Sequence, residues 1–173
     1  DLAKVAAADT VRLNTNGIVV IGRIESTSSS AQTVTVTGDA GSAFTFQGMD
    51  AGYNGVSADG HAENRLVVAA DIVIPSRIDK LGAGTAEFTG DLTASLASGS
   101  ALVLWRGLSI FSGSSALTAL SSDVGVANAG YKATVLLTNQ AHWAIKNLNL
   151  GVSQNVTASA TVIQDSAESF VTV

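Results

Sequence analysis

From Thr33 to Thr37 the chain alternates hydroxyl-bearing and aliphatic side chains without a break. Successive side chains of an extended strand point to opposite faces, so Val34 and Val36 share one side and the threonines the other. A helix would scatter them around its circumference. The pattern returns in Ser42–Gln47, with Phe44 and Phe46 on one face, and in Asn155–Val162, with Val156, Ala158, Ala160 and Val162 on one face. A chain written this way is built from sheets with one apolar side.

Further strands are expected across the chain. Ile18–Ile24 is apolar on both faces and reads as a central strand launched by the Asn16-Gly17 turn. Leu66–Ile74 is interrupted at Ala69-Ala70-Asp71 and stopped by Pro75, which cannot donate to a ladder. Ala86–Leu96 bends at Gly90, Ala101–Phe111 holds Trp105, and Tyr131–Thr138, His142–Val152 and Phe170–Val173 follow. Gly38-Asp39-Ala40-Gly41 reads as a hairpin loop, since Gly and Asp tolerate positive φ. About nine to eleven strands at spacings near 8–12 residues predict an all-β fold, a single antiparallel β-sandwich or jelly roll. Two long loops are expected, Gln47–Asn64 and Ser112–Gly130, the second with one or two helical turns over Ser115–Ser122. No repeat of fixed period is visible, and no linker divides the chain.

The composition narrows the function. Only 13% of residues are charged, against about 25% in an ordinary soluble protein. The nine Lys and Arg are scattered from Lys4 to Lys146 and the net charge is −5. That is the opposite of the basic footprint nucleic acids require, so no nucleic-acid partner is expected. There is no cysteine, which excludes disulfides, thiolate metal sites and a cysteine nucleophile. Asn, Gln, Ser and Thr punctuate the longest uncharged run, Asn147–Gln164, so no membrane span is expected. The chain begins at Asp1, which reads as removal of a secretory leader and an extracellular location.

Candidate chemistry is sparse, and no enzyme, cofactor or metal is expected. His61 has Asp50, Ser57 and Asp59 near it in sequence but no nucleophile elbow, so it reads as a loop histidine. His142 beside Trp143 reads as a partly buried structural histidine. Asp50-x-Gly52-x-Asn54-Gly55 lacks the ligand at position 3 and the glutamate at position 12 of a calcium loop, with His61 in the latter place. Whether an irregular calcium site exists in 47–64 stays open. Glu87 and Asp91, four apart on a strand, share a face and read as surface carboxylates. Gly82-Ala83-Gly84 lacks the strand–helix context of a phosphate loop. Asn155-Val156-Thr157 is the one glycosylation sequon, so Asn155 is a possible glycan site.

The N-terminal segment carries more information. Val5, Ala7, Val11 and Leu13 form a period-two apolar stripe opposite Lys4, Thr10 and Arg12. It fits a strand added to a neighbouring subunit, an intramolecular first strand, or a short helix. Asn14-Thr15-Asn16-Gly17 supplies a flexible exit after it, which favours donation from this end over the C-terminal strand, read as a hairpin partner of the strand before it. Residues 1–13 are accordingly read as an extension and 14–173 as the sandwich domain. This stripe, the Val156–Val162 strand and the cysteine-free Ser/Thr/Val/Ala/Gly-rich composition resemble subunits of extracellular filaments built by strand donation, both chaperone-usher-type fimbrial subunits and TasA-like fibres. The resemblance implies a structural subunit of a pilus or matrix fibre whose partner is itself, with Val5, Ala7, Val11 and Leu13 at the subunit interface. A viral capsid-decoration or tail protein is the alternative, and a secreted carbohydrate-binding module the third reading.

Overall fold

The computed structural model describes residues 2–5, 9–13, 18–21, 23–26, 33–38, 43–46, 55–58, 65–74, 77–94, 100–124, 132–151 and 159–172. These form nineteen strands and no helix. The chain winds in coils. β1 (Leu2–Val5), β2 (Asp9–Leu13) and β3 (Ile18–Ile21) make the first, and β4 (Arg23–Ser26), β5 (Thr33–Gly38) and β6 (Ala43–Phe46) the second. β7 (Gly55–Ala58), β8 (Arg65–Val68) and β9 (Asp71–Ile74) make the third, and β10 (Ile78–Leu81), β11 (Thr85–Phe88) and β12 (Leu92–Ala94) the fourth. Then come β13 (Leu102–Leu104), β14 (Gly107–Phe111) and β15 (Ala116–Val124), followed by β16 (Lys132–Leu137), β17 (His142–Leu150), β18 (Ser159–Gln164) and β19 (Phe170–Thr172).

Every pairing is parallel and joins one coil to the next. β2, β5, β8, β11, β14, β16 and β18 form a seven-stranded face. The other two faces run β1-β4-β7-β10-β13 and β3-β6-β9-β12, and both reach the nine-residue β15, which joins them into one twelve-stranded sheet. This is a parallel β-solenoid, and it corrects the expected antiparallel sandwich or jelly roll. β5 and β6 lie on different faces and do not pair, so Gly38–Gly41 does not close a hairpin. β18 pairs with β16 in parallel and is not the hairpin partner of β17. Ile18–Ile24 is divided between β3 and β4, and Ala101–Phe111 between β13 and β14. Ala116–Val124 is a strand, where a loop with helical turns was expected.

The interior is made of vertical columns, because in-register parallel strands stack each inward side chain on its counterpart in the next coil. Val36, Val68, Phe88, Phe111 and Leu137 form one column, each no more than 1% exposed. Ile72, Leu92, Leu117 and Trp143 form another. The columns meet through rings. Phe88 stacks on Phe111 at 4.9 Å, and Phe111 meets Trp143 edge-on at 4.9 Å. Each such side chain contributes about 1.5–3 kcal/mol by leaving water, and the offset and edge contacts add about 0.5–1.5 kcal/mol a pair.

Corners between faces need small residues. At Gly90 an added Cβ would lie 2.6 Å from the Ala70 carbonyl oxygen of the coil below, so only glycine fits. The ladder continues through this corner, with Ala69 N–H donating to Val36 O (2.7 Å), Thr89 N–H to Val68 O (3.0 Å) and Ser112 N–H to Phe88 O (3.0 Å).

The ring cluster generates a test. Phe111→Ala should cost about 3–5 kcal/mol in urea unfolding. Trp143→Phe should cost less than about 1.5 kcal/mol. The Trp143 Nε1–H is buried with no hydrogen-bond partner, so removing it relieves an unmet donor. A Trp143→Phe loss as large as that of Phe111→Ala would show that the lost ring volume outweighs any relief of the buried donor.

Candidate functional site

Among the described residues, a group of charged side chains is gathered along β10 and the end of β13. Arg77, just before β10, donates from Nε (2.9 Å) and Nη2 (2.6 Å) to Asp79 Oδ1. Trp105, just after β13, donates from Nε1 to the same oxygen (2.7 Å). The Arg77 guanidinium lies 5.8 Å from the centre of the Trp105 ring. Three donors thus converge on one carboxylate oxygen, while Oδ2 is buried with no partner. Asp79 stacks on Val103, and both are 1% exposed, so this side of the strand is covered despite facing away from the interior columns.

Lys80 points the other way. Its place in the register is between Val56 and Leu104, in a column otherwise aliphatic from Ala3 through Ile24 to Leu150. It is fully buried. Its Nζ donates to Gly82 O (2.9 Å), Gly84 O (2.7 Å) and Arg106 O (2.6 Å). The first two belong to the corner after β10 and the third to the equivalent corner one coil on. A buried ammonium is tolerable only when its donors are met, and here carbonyls meet them. Such an ammonium presents no lone pair for nucleophilic attack.

Two further networks run up the stack. Glu87 accepts an ion pair from Arg65 on one oxygen and the Ser112 hydroxyl (2.8 Å) on the other, joining three successive coils. At the neighbouring corner Asp91 N–H donates to Asp71 Oδ1 (2.9 Å), Ala116 N–H to Asp91 Oδ1 (3.1 Å), and Ser115 Oγ–H to Gly90 O (2.9 Å). Each polar side chain in these networks bridges to the coil above or below. Chemically, the arrangement holds coil register.

The residues singled out by sequence fall as follows. Val5 lies in β1, opposite Ser26, while Val11 and Leu13 lie in β2, opposite Val36 and Gly38. The stripe is therefore divided between two faces, with Thr10 and Arg12 exposed, and Ala7 lies outside the described residues. Asn155, His61, Asp50, Asp59 and most of 47–64 also lie outside them; Ser57 is in β7. His142 is half-buried at the start of β17, its backbone N–H donating to Ser115 O (3.0 Å). Glu87 and Asp91 do not share a face, because the corner at Gly90 stands between β11 and Asp91. Gly82–Gly84 is the corner that receives Lys80. Among the described residues no group of three or more His, Cys, Asp or Glu is placed to hold a metal ion.

Sequence reasoning passed over Arg77, Asp79, Lys80 and Trp105. Ile78-Asp79-Lys80-Leu81 puts one charge on each side of a strand, so alternation could not say which side is inward. The available signal was Gly82-x-Gly84 directly after Lys80, a corner whose carbonyls a long cation can reach. No family model, curated protein or solved structure matches the chain.

Asp79→Ala should destabilise by about 2 kcal/mol, toward the low end for a broken buried pair because Arg77 is half-exposed and can rehydrate. Asp79→Asn keeps an acceptor for the indole and should cost about half as much. Urea unfolding of the two variants decides the point; identical losses would mean that the carboxylate acts through charge alone.

Proposed function

We propose that this chain is a structural protein, a subunit of an extracellular filament, pilus or matrix fibre, and that it polymerises by continuing its own coil stack through intersubunit β-pairing. One observation carries the reading. Leu150, at the head of the column containing Leu104, is 53% exposed, while Leu104 is fully buried. Likewise Ala160, Val162 and Val171 are half-exposed above the buried Ala133, Val135 and Trp143. β18 and β19 each pair on one side among the described residues, as do β1, β2 and β3. Unpaired parallel edges beside an apolar coil surface are a template for another coil.

The partner is a second copy of the chain, stacked head to tail. Such a contact is heterologous and generates filaments instead of closed dimers. Val5, Val11 and Leu13 then serve through the first coil, in place of a strand detached from its own domain. A surface with few charges gives little repulsion between copies. A coil from elsewhere in the same polypeptide would cover the same surface and leave the protein monomeric.

Light scattering and electron microscopy of the native protein test this. Long polymers are expected, and because little charge is buried their mass should change little between about 0.05 and 0.5 M salt. Val162→Asp and Leu150→Asp should abolish them, since an unpaired charge in an apolar contact costs several kcal/mol, while leaving the circular dichroism unchanged. Monomeric native protein, or polymers indifferent to both variants, would overturn the reading.

A further inference from the structure

The Lys80 corner has the construction of a cation site. Three backbone carbonyl oxygens, from Gly82, Gly84 and Arg106, converge within 2.9 Å of one point inside the solenoid. Backbone carbonyls arranged in this way replace the hydration shell of a monovalent cation. The wall is closely packed as well. Gly107 has φ +77°, and a Cβ there would lie 2.5 Å from Gly84 O, 2.7 Å from Ala83 O and 2.5 Å from the Lys80 Nζ. Two of those neighbours are backbone atoms that cannot step aside. The Gly82, Gly84 and Arg106 carbonyls all accept from the Lys80 ammonium, and an aliphatic residue in this column would withdraw that donor from all three. The column is aliphatic at Val56 and Leu104 on either side, so a lysine is needed here for the carbonyls and not for the column.

We propose that this corner is a monovalent-cation cage whose resident cation is the Lys80 ammonium, and that shortening Lys80 opens a site for potassium, ammonium or methylammonium. The proposal is independent of any role in assembly. It differs from a purely packing role for the lysine, under which the loss of four methylenes would matter and the identity of the salt would not.

The test is thermal unfolding of the native protein carrying Lys80→Ala, in chlorides of potassium, ammonium, methylammonium and tetramethylammonium at matched ionic strength. The three small cations should raise the midpoint saturably, by roughly 3–6 °C at tenfold excess over the dissociation constant, and tetramethylammonium should not. Wild type, whose cage is filled by its own ammonium, and Lys80→Met, whose side chain fills the space, should not distinguish the salts. Lys80→Ala folding only with a small cation present would be the same result in its extreme form. An equal response to all four salts overturns the proposal, and so does a Lys80→Ala protein that folds in none of them.

Discussion

Parallel backbone pairing between successive coils is the constraint from which the rest of this structure follows. A parallel strand cannot reach its partner by a tight turn; the chain must first travel around and return in the same direction. Here Thr33 pairs with Arg65, and Arg65 with Thr85, so the return takes 32 residues in one coil and 20 in the next. The faces keep register while the corners absorb the difference. Once register is kept, each inward side chain must stack on its counterpart, and aromatic and aliphatic columns such as Val68–Phe88–Phe111–Leu137 result.

Polar side chains obey the same geometry. Arg65, Glu87 and Ser112 come from consecutive coils, as do Asp71, Asp91 and Ser115. Their hydrogen bonds run along the stack, parallel to the backbone ladder, and each is placed at or beside a corner, where the ladder alone leaves backbone groups to be met. Lys80 extends this logic into the interior. It gives up the hydrophobic contribution of one column position and satisfies carbonyls from two corners at once. Three backbone carbonyls from two successive corners are thereby tied to one buried side chain.

Much of the local structure was legible in the sequence. The alternation over Thr33–Thr37 places Val36 inward and leaves the threonines outward, as the structure has it. Direction was not legible, because alternation reports a face and is identical in parallel and antiparallel strands. The architecture was hidden by the unequal coils, which erase any fixed period. Helical turns over Ser115–Ser122 were an error with a traceable cause. The expectation rested on a Ser115 cap with Leu117, Leu120 and Val124 three and four residues apart, whereas Ala116–Val124 is one strand that pairs β12 over Leu117–Thr118 and β13 over Ser122–Val124, passing from one face to another within its length. A change of face within a strand breaks the period of two and leaves apolar residues at helical spacing. β17 makes the same change, from Trp143 and Ile145 to Leu148 and Leu150.

The same geometry explains why the charged corner escaped notice. A functional cluster in most folds is announced by residue types, but here the informative feature is position. Arg77, Asp79, Lys80 and Trp105 are unremarkable as a sequence, and become a unit only because β10 and β13 are stacked in register with their corners superimposed. In a solenoid every position acquires its meaning from the residues one coil away, at a distance along the chain that varies from 20 to 32 residues. The same principle governs the last coil. Leu150 and Val162 are ordinary interior residues by column, and their exposure reflects only that no coil described here lies above them. An edge of this kind offers backbone donors and acceptors beside apolar side chains, and a parallel strand that pairs with it in register continues the same columns.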